Sequence, residues 1–215
     1  QVLQDLPGKA LFAVQRGGPE VAAALRALGR IGTEGAVKVL IAALGRDDPG
    51  AARSAVRDAL LAAGKPAVGA LVALLAGSPT QTTAAGAALV LGALRATEGE
   101  GAIIRAMQRG VVPLRHGLRA LAQIGGPSAL PTVLELLDDS DPTIRKEAIR
   151  AAVALLDPAR ADGRPVDPAS AALRDAATPS DEKIELVRLL GRTGAPRAQA
   201  VLLPLLTARA LPLRL

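Results

Sequence analysis

The chain has 215 residues, half of them hydrophobic, with 26 basic and 20 acidic side chains for a net charge of +6. Cysteine is absent, which excludes disulfides, thiolate metal sites and a cysteine nucleophile, and fits a reducing or an oxidising compartment equally. Trp and Tyr are absent too, and the longest apolar run, Ala84–Leu94, is about half of the ~20 residues that a bilayer span needs.

Both signs of charge are interspersed. Residues 1–110 carry 12 basic and 8 acidic side chains, and residues 111–215 carry 14 and 12, so no basic block marks a nucleic-acid arm. With Phe12 as the one aromatic of the Phe, Trp and Tyr set, the interior has to be built from Ala, Leu, Val and Gly. Small side chains let helices approach closely, which suits stacked hairpins better than one thick core.

Taken in chain order, residues 1–18 read as the end of a unit, with Lys9–Val14 as a second helix and Arg16-Gly17-Gly18-Pro19 as its breaker. Leu28-Gly29-Arg30-Ile31-Gly32 then recurs as Leu121-Ala122-Gln123-Ile124-Gly125 and Leu190-Gly191-Arg192-Thr193-Gly194. Gly64 follows Gly32 by 32 residues and Gly125 follows it by 93, or three periods of 31. A period in this range means stacked supersecondary units. Segments that open on small residues follow each turn: Gly35-Ala36-Val37, Pro66-Ala67-Val68, Gly101-Ala102-Ile103, Ser128-Ala129-Leu130 and Arg197-Ala198-Gln199. They run into polar breakers, Arg46-Asp47-Asp48-Pro49, Gly77-Ser78-Pro79 and Asp138-Asp139-Ser140-Asp141-Pro142. Asp or Ser before Pro is N-cap and first-turn chemistry.

One unit is therefore a helix, a glycine turn, a second helix and a capped turn. Val21, Leu25 and Leu28 share one face of a first helix, as do Ile144, Ala148, Ala151 and Leu155. The units are predicted at 19–48, 49–78, 79–110, 111–141, 142–178 and 179–215, after the partial 1–18, within a single repeat domain. The third unit lacks both the Ile-Gly turn and the Asp-Pro cap. The fifth carries about seven extra residues in 157–168, whose three prolines and glycine make a loop, either a tolerated surface insertion or a partner contact.

Asp141-Pro142-Thr143-Ile144-Arg145, together with Leu28-Gly29-Arg30-Ile31-Gly32 and the Gly-Ala-Val opening of the second helix, resembles the HEAT-repeat pattern. The resemblance spans about Pro19–Leu206. It implies an all-α, right-handed solenoid of about six stacked helix hairpins whose second helices line a partner-receiving side. The polar residues there are Lys38, Lys65, Arg105, Arg109, Glu135, Arg174 and Arg197, and the cations among them form the candidate partner-binding surface. Arg26, Arg119 and Arg188 each precede a turn glycine by six residues, and Arg53 and Arg145 lie early in first helices. These five, with Asp48 and Asp141, are expected to hold caps between repeats; an exposed basic ladder is the alternative.

No catalytic, cofactor-binding or metal-binding residues are expected. His116 is the one histidine and is expected on the surface, which leaves a zinc site or a Ser-His-Asp arrangement short of members. The paired aspartates read as caps rather than Ca²⁺ ligands or general acids, and no strand precedes the glycine turns as a phosphate loop requires. The expected function is a non-enzymatic scaffold that binds another protein. Nucleic-acid binding through arginines on phosphates, as in HEAT-like alkylpurine DNA glycosylases, ranks second, and a phycobilin lyase-like role third. Gln1 in place of Met and the apolar Ala210–Leu215 lead us to expect a segment of a longer array, or ends that dock on a partner.

Overall fold

The computed structural model describes residues 20–45, 50–157 and 159–207, and for residues 50–52 and 207 the backbone alone. The partial unit at 1–18, the Asp48 cap and the apolar end at 210–215 lie outside these. Among the described residues all regular structure is helical and there is no strand. The chain divides into two compact units, Gln1–Ile124 and Gly125–Leu215.

The first unit contains α1 (Val21–Ile31), α2 (Glu34–Leu44), α3 (Gly50–Ala63), α4 (Lys65–Ala76), α5 (Gln81–Ala93), α6 (Glu100–Gln108) and α7 (Leu114–Ile124). Helices of 9 to 14 residues are marginal alone and persist because they bury an apolar face. The repeat period therefore reappears as ladders of fully buried leucines. Leu28, Leu60, Leu91 and Leu121 form one ladder along α1, α3, α5 and α7, and Leu40, Leu71 and Ile103 form another along α2, α4 and α6. Each such side chain contributes about 2 kcal/mol by leaving water.

Turn chemistry closes the hairpins as the sequence requires. Gly32 takes a left-handed backbone (φ 59°) and donates its N–H to the Leu28 carbonyl at 3.1 Å. Thr33 then caps α2 by accepting from the Ala36 N–H at 3.4 Å. The third hairpin reaches the same geometry without glycine. Leu91-Gly92-Ala93-Leu94-Arg95 is in register with Leu28-Gly29-Arg30-Ile31-Gly32, and Arg95 occupies the left-handed position at φ 51°, the one non-glycine at positive φ among the described residues. A 3₁₀ turn, Thr97–Gly99, then leads into α6.

The glycine three residues before each turn has a different job. A Cβ on Gly29 would stand 2.5 Å from the Ala59 carbonyl oxygen and 2.8 Å from its Cα, so α1 and α3 lie backbone to backbone there. Gly92 does the same for α5 and α7, its missing Cβ lying 2.8 Å from the Ala120 Cα. In α3 the same register position is Leu61, half-buried, and α3 and α5 meet over a much shorter stretch than the other two pairs.

The second unit contains α8 (Leu130–Glu135) between 3₁₀ turns at Pro127–Ala129 and Leu136–Asp138, then α9 (Pro142–Leu155), α10 (Val166–Arg174), α11 (Ser180–Arg192) and α12 (Pro196–Thr207). Asp141 caps α9, accepting from the Thr143 N–H at 2.7 Å. Arg145 joins α9 to α11 through two nearly parallel bonds to the Glu182 carboxylate, 2.8 and 3.2 Å, and also donates to the Asp139 carbonyl at 2.9 Å. The Glu182 carboxylate is 1% exposed, so this fork replaces its lost hydration. The inserted loop is pinned to the last hairpin: the Asp162 N–H donates to the Thr193 carbonyl at 2.8 Å, and Arg164 pairs with Asp162. Helix α10 starts at Val166 and carries Pro168 in its first turn.

Two stability predictions follow from these contacts. Gly29→Ala should lower stability by about 2 kcal/mol because backbone cannot yield to the new methyl, whereas Gly191→Ala, with nothing within 4 Å, should gain up to about 1 kcal/mol. Arg95→Gly should add about 1 kcal/mol by removing the left-handed penalty. Urea midpoints for the three variants measure all of this.

Candidate functional site

Where α3 and α5 part, a groove opens. Its floor is α5, whose 13 residues, Gln-Thr-Thr-Ala-Ala-Gly-Ala-Ala-Leu-Val-Leu-Gly-Ala, include no charged side chain and mostly small ones. A first cavity of about 490 Å³ is lined by Arg53 and Arg57 of α3, by Gln81, Thr82, Ala85, Gly86 and Leu89 of α5, and by Leu44, Pro113 and His116. A second of about 270 Å³ is lined by Arg57, Asp58 and Leu61 of α3, by Leu89, Val90 and Ala93 of α5, and by Arg119 and Gln123 of α7. The two share Arg57 and Leu89, so they are neighbouring stretches of one elongated depression. Leu61 stands in its wall.

Spacing alone aligns these residues. Arg53, Arg57 and Leu61 recur every four residues on one face of α3, His116, Arg119 and Gln123 share a face of α7, and Thr82, Ala85, Gly86, Leu89 and Ala93 share one of α5. Arg57 and Arg119 make no hydrogen bond or ion pair among the described residues. The Gln81 amide donates to the Gly110 carbonyl at 3.1 Å, which ties the start of α5 to the chain entering α7. His116, expected on the surface, is half-buried, and its Nδ1 is buried without a partner. Burial first, and then Arg115 and Arg119, hold its imidazole below the ordinary histidine range, so it is neutral at physiological pH.

The candidate partner-binding cations are dispersed. Lys38 pairs with Glu34 one turn away, at 2.7 Å. Lys65 is exposed at the start of α4, and Arg105 is exposed on α6, its guanidinium lying over Gly101. Arg109 caps the end of α4, donating to the Ala76 carbonyl at 3.2 Å and to that of Leu75. In the second unit Arg174 donates to the Ser170 carbonyl at 3.1 Å, and Arg197 meets Asp167 at 2.6 Å. Of the arginines expected to hold caps, Arg145 links two first helices and Arg188 pairs with Glu185 on its own helix. Arg26 is exposed on α1, and Arg53 and Arg119 line the groove. Sequence reasoning passed over Arg57, Gln81, Thr82 and Gln123, although the uncharged stretch of α5 was a visible signal of missing side-chain volume. Among the described residues no cluster of three metal-ligating side chains occurs, and no helix is long and apolar enough to cross a membrane.

The HEAT-repeat family pattern matches residues 112–184, and the PBS lyase HEAT-like repeat matches residues 21–46. The chain carries HEAT-like repeats. Its all-α solenoid is similar to the complex of CpcE and CpcF of phycocyanin lyase from Nostoc sp. PCC7120, at 22% identity and a TM-score of 0.51, over 91% of this chain and 80% of that one. Human deoxyhypusine hydroxylase in complex with glycerol aligns at 19% identity and a TM-score of 0.44, over 86% of this chain and 69% of that one. No curated protein matches by sequence. The match of residues 21–46 to the PBS lyase HEAT-like repeat overturns the expectation of a non-enzyme. The expectation rested on missing catalytic constellations alone.

The buried imidazole of this HEAT-like protein sets a pH dependence. The unfolded chain takes up the His116 proton near the ordinary value of about 6.5, and the folded chain only at lower pH, so acidification through that window favours unfolding. The melting temperature of wild type should fall relative to His116→Gln between about pH 7 and pH 5, and the two should run parallel above pH 7.

Proposed function

We propose that this HEAT-like protein is a subunit of a bilin lyase-type assembly, which binds a protein partner and holds a linear tetrapyrrole for transfer. The match of residues 21–46 to the PBS lyase HEAT-like repeat carries this reading. Two further observations support it. One fold neighbour, the complex of CpcE and CpcF of phycocyanin lyase, is itself a complex of two proteins. The first unit also contains an elongated groove with an apolar floor and cationic walls, of the size of small-molecule sites.

Transfer of this kind asks the protein mainly to position two reactants and shield them from water, which supplies rate by proximity rather than by a catalytic triad. That division of labour agrees with the residues present: a groove, arginines and a neutral histidine, with no cysteine anywhere in the chain. Nucleic-acid binding draws less support, since among the described residues no Phe, Tyr or Trp lines the groove for a base to stack on, and Asp58 stands among its arginines.

The reading is tested by incubating the purified protein with phycocyanobilin and apo-phycocyanin and following covalent attachment by zinc-induced fluorescence on denaturing gels. Attachment should be faster by about tenfold or more than in chromophore and apoprotein alone. Unchanged attachment and a colourless protein after gel filtration would remove the proposal.

A further inference from the structure

We infer that the groove of α3, α5 and α7 is a binding site for an elongated, largely apolar molecule bearing two carboxylates, with Arg57 and Arg119 as the groups that receive them. The inference rests on the proposed bilin-handling role only for the choice of ligand to test.

The shape argues for length. The two cavities adjoin at Arg57 and Leu89 and run from Gln81 and Thr82 at one end of α5 to Ala93 at the other. Twelve residues of helix rise about 18 Å, enough for an extended molecule of several rings. The floor argues for an apolar body. Ala85, Gly86, Leu89, Val90 and Ala93 offer no hydrogen bond from their side chains, so a small hydrated anion gains nothing from them.

The walls argue for carboxylates. Arg57 sits where the two cavities join and Arg119 in the second, on opposite sides of α5, and neither is engaged by another described residue. A guanidinium presents a planar fork that matches a carboxylate with two parallel bonds, and it does so best beside apolar surface that keeps water away. Arg109, Arg145, Arg164, Arg174, Arg188 and Arg197 bond within the fold, whereas Arg26 and Arg105, also without a partner among the described residues, lie outside the groove. Among the described residues Asp58 is the one acidic side chain lining the groove, and it lies at the Arg119 end, where it disfavours excess negative charge. His116 and Gln81 face the first cavity as neutral groups suited to the polar edge of a ring system.

Biliverdin, its dimethyl ester and inorganic phosphate separate the contributions. Binding is read from the ligand's visible absorption, a region in which no side chain absorbs. The diacid should bind saturably at one site. The ester should bind about tenfold more weakly or worse, and so should the diacid to Arg57→Glu. Arg192→Glu, which makes the same change in net charge far along the sequence, should bind as wild type does. Equal affinity for acid and ester overturns the inference, and that comparison needs no variant. Equal weakening by Arg57→Glu and Arg192→Glu, or displacement of biliverdin by phosphate at equal concentration, also overturns it. Binding through Arg57 without chromophore attachment would leave the site standing and remove the proposed function; attachment untouched by Arg57→Glu would do the reverse.

Discussion

Two helices can touch through their backbones only where no side chain stands between them, and the first unit depends on where that condition is met. At Gly29 and Gly92 it is met: Ala59 and Ala120 lie within a distance that any Cβ would violate, so α1 packs on α3 and α5 on α7. At Leu61, the same register position of the intervening helix, a four-carbon side chain stands in the way. The separation is therefore local, between α3 and α5, and the groove is its consequence.

The third hairpin is built to make that separation useful. Helix α5 answers the Leu61 wedge with alanines and glycine rather than with long side chains that would refill the space, and Leu44 packs under Gly86, whose Cβ would stand 2.9 Å from the Leu44 Cδ1. Its turn accepts a left-handed arginine at about 1–2 kcal/mol where its counterparts use glycine. Departures from a repeat consensus that concentrate in one unit, and beside a cavity, are where a binding function is expected to show against the scaffold.

Charge follows a similar division. In the second unit the ion pairs serve the fold: Arg145 holds the buried Glu182, and Arg164 keeps the Asp162 carboxyl below its usual range while the loop backbone docks on Thr193. Exposed pairs such as Lys38 with Glu34 add little because water screens them. Two cations of the first unit without a partner among the described residues, Arg57 and Arg119, line a groove with an apolar floor, so a ligand carboxylate has no ion pair to displace there.

Much of this was legible before any coordinates. The 31-residue spacing of glycine turns, the Asp and Thr caps and the leucine ladders all arise from interactions within one hairpin or between neighbours of constant offset, so a linear pattern records them. The odd character of the third unit was visible as a missing turn glycine and an uncharged α5. What the linear pattern did not record is which helices touch and which part, because that depends on the side chain facing each glycine from 30 residues away. Leu61 reads as one more leucine in a leucine-rich helix, Arg57 as one more surface arginine, and His116 as exposed, until α3, α5 and α7 are set side by side. Sequence determined the repeat, since it is local chemistry used six times over; tertiary packing decided the groove, since it arises where α3 and α5 fail to close on each other within the first unit.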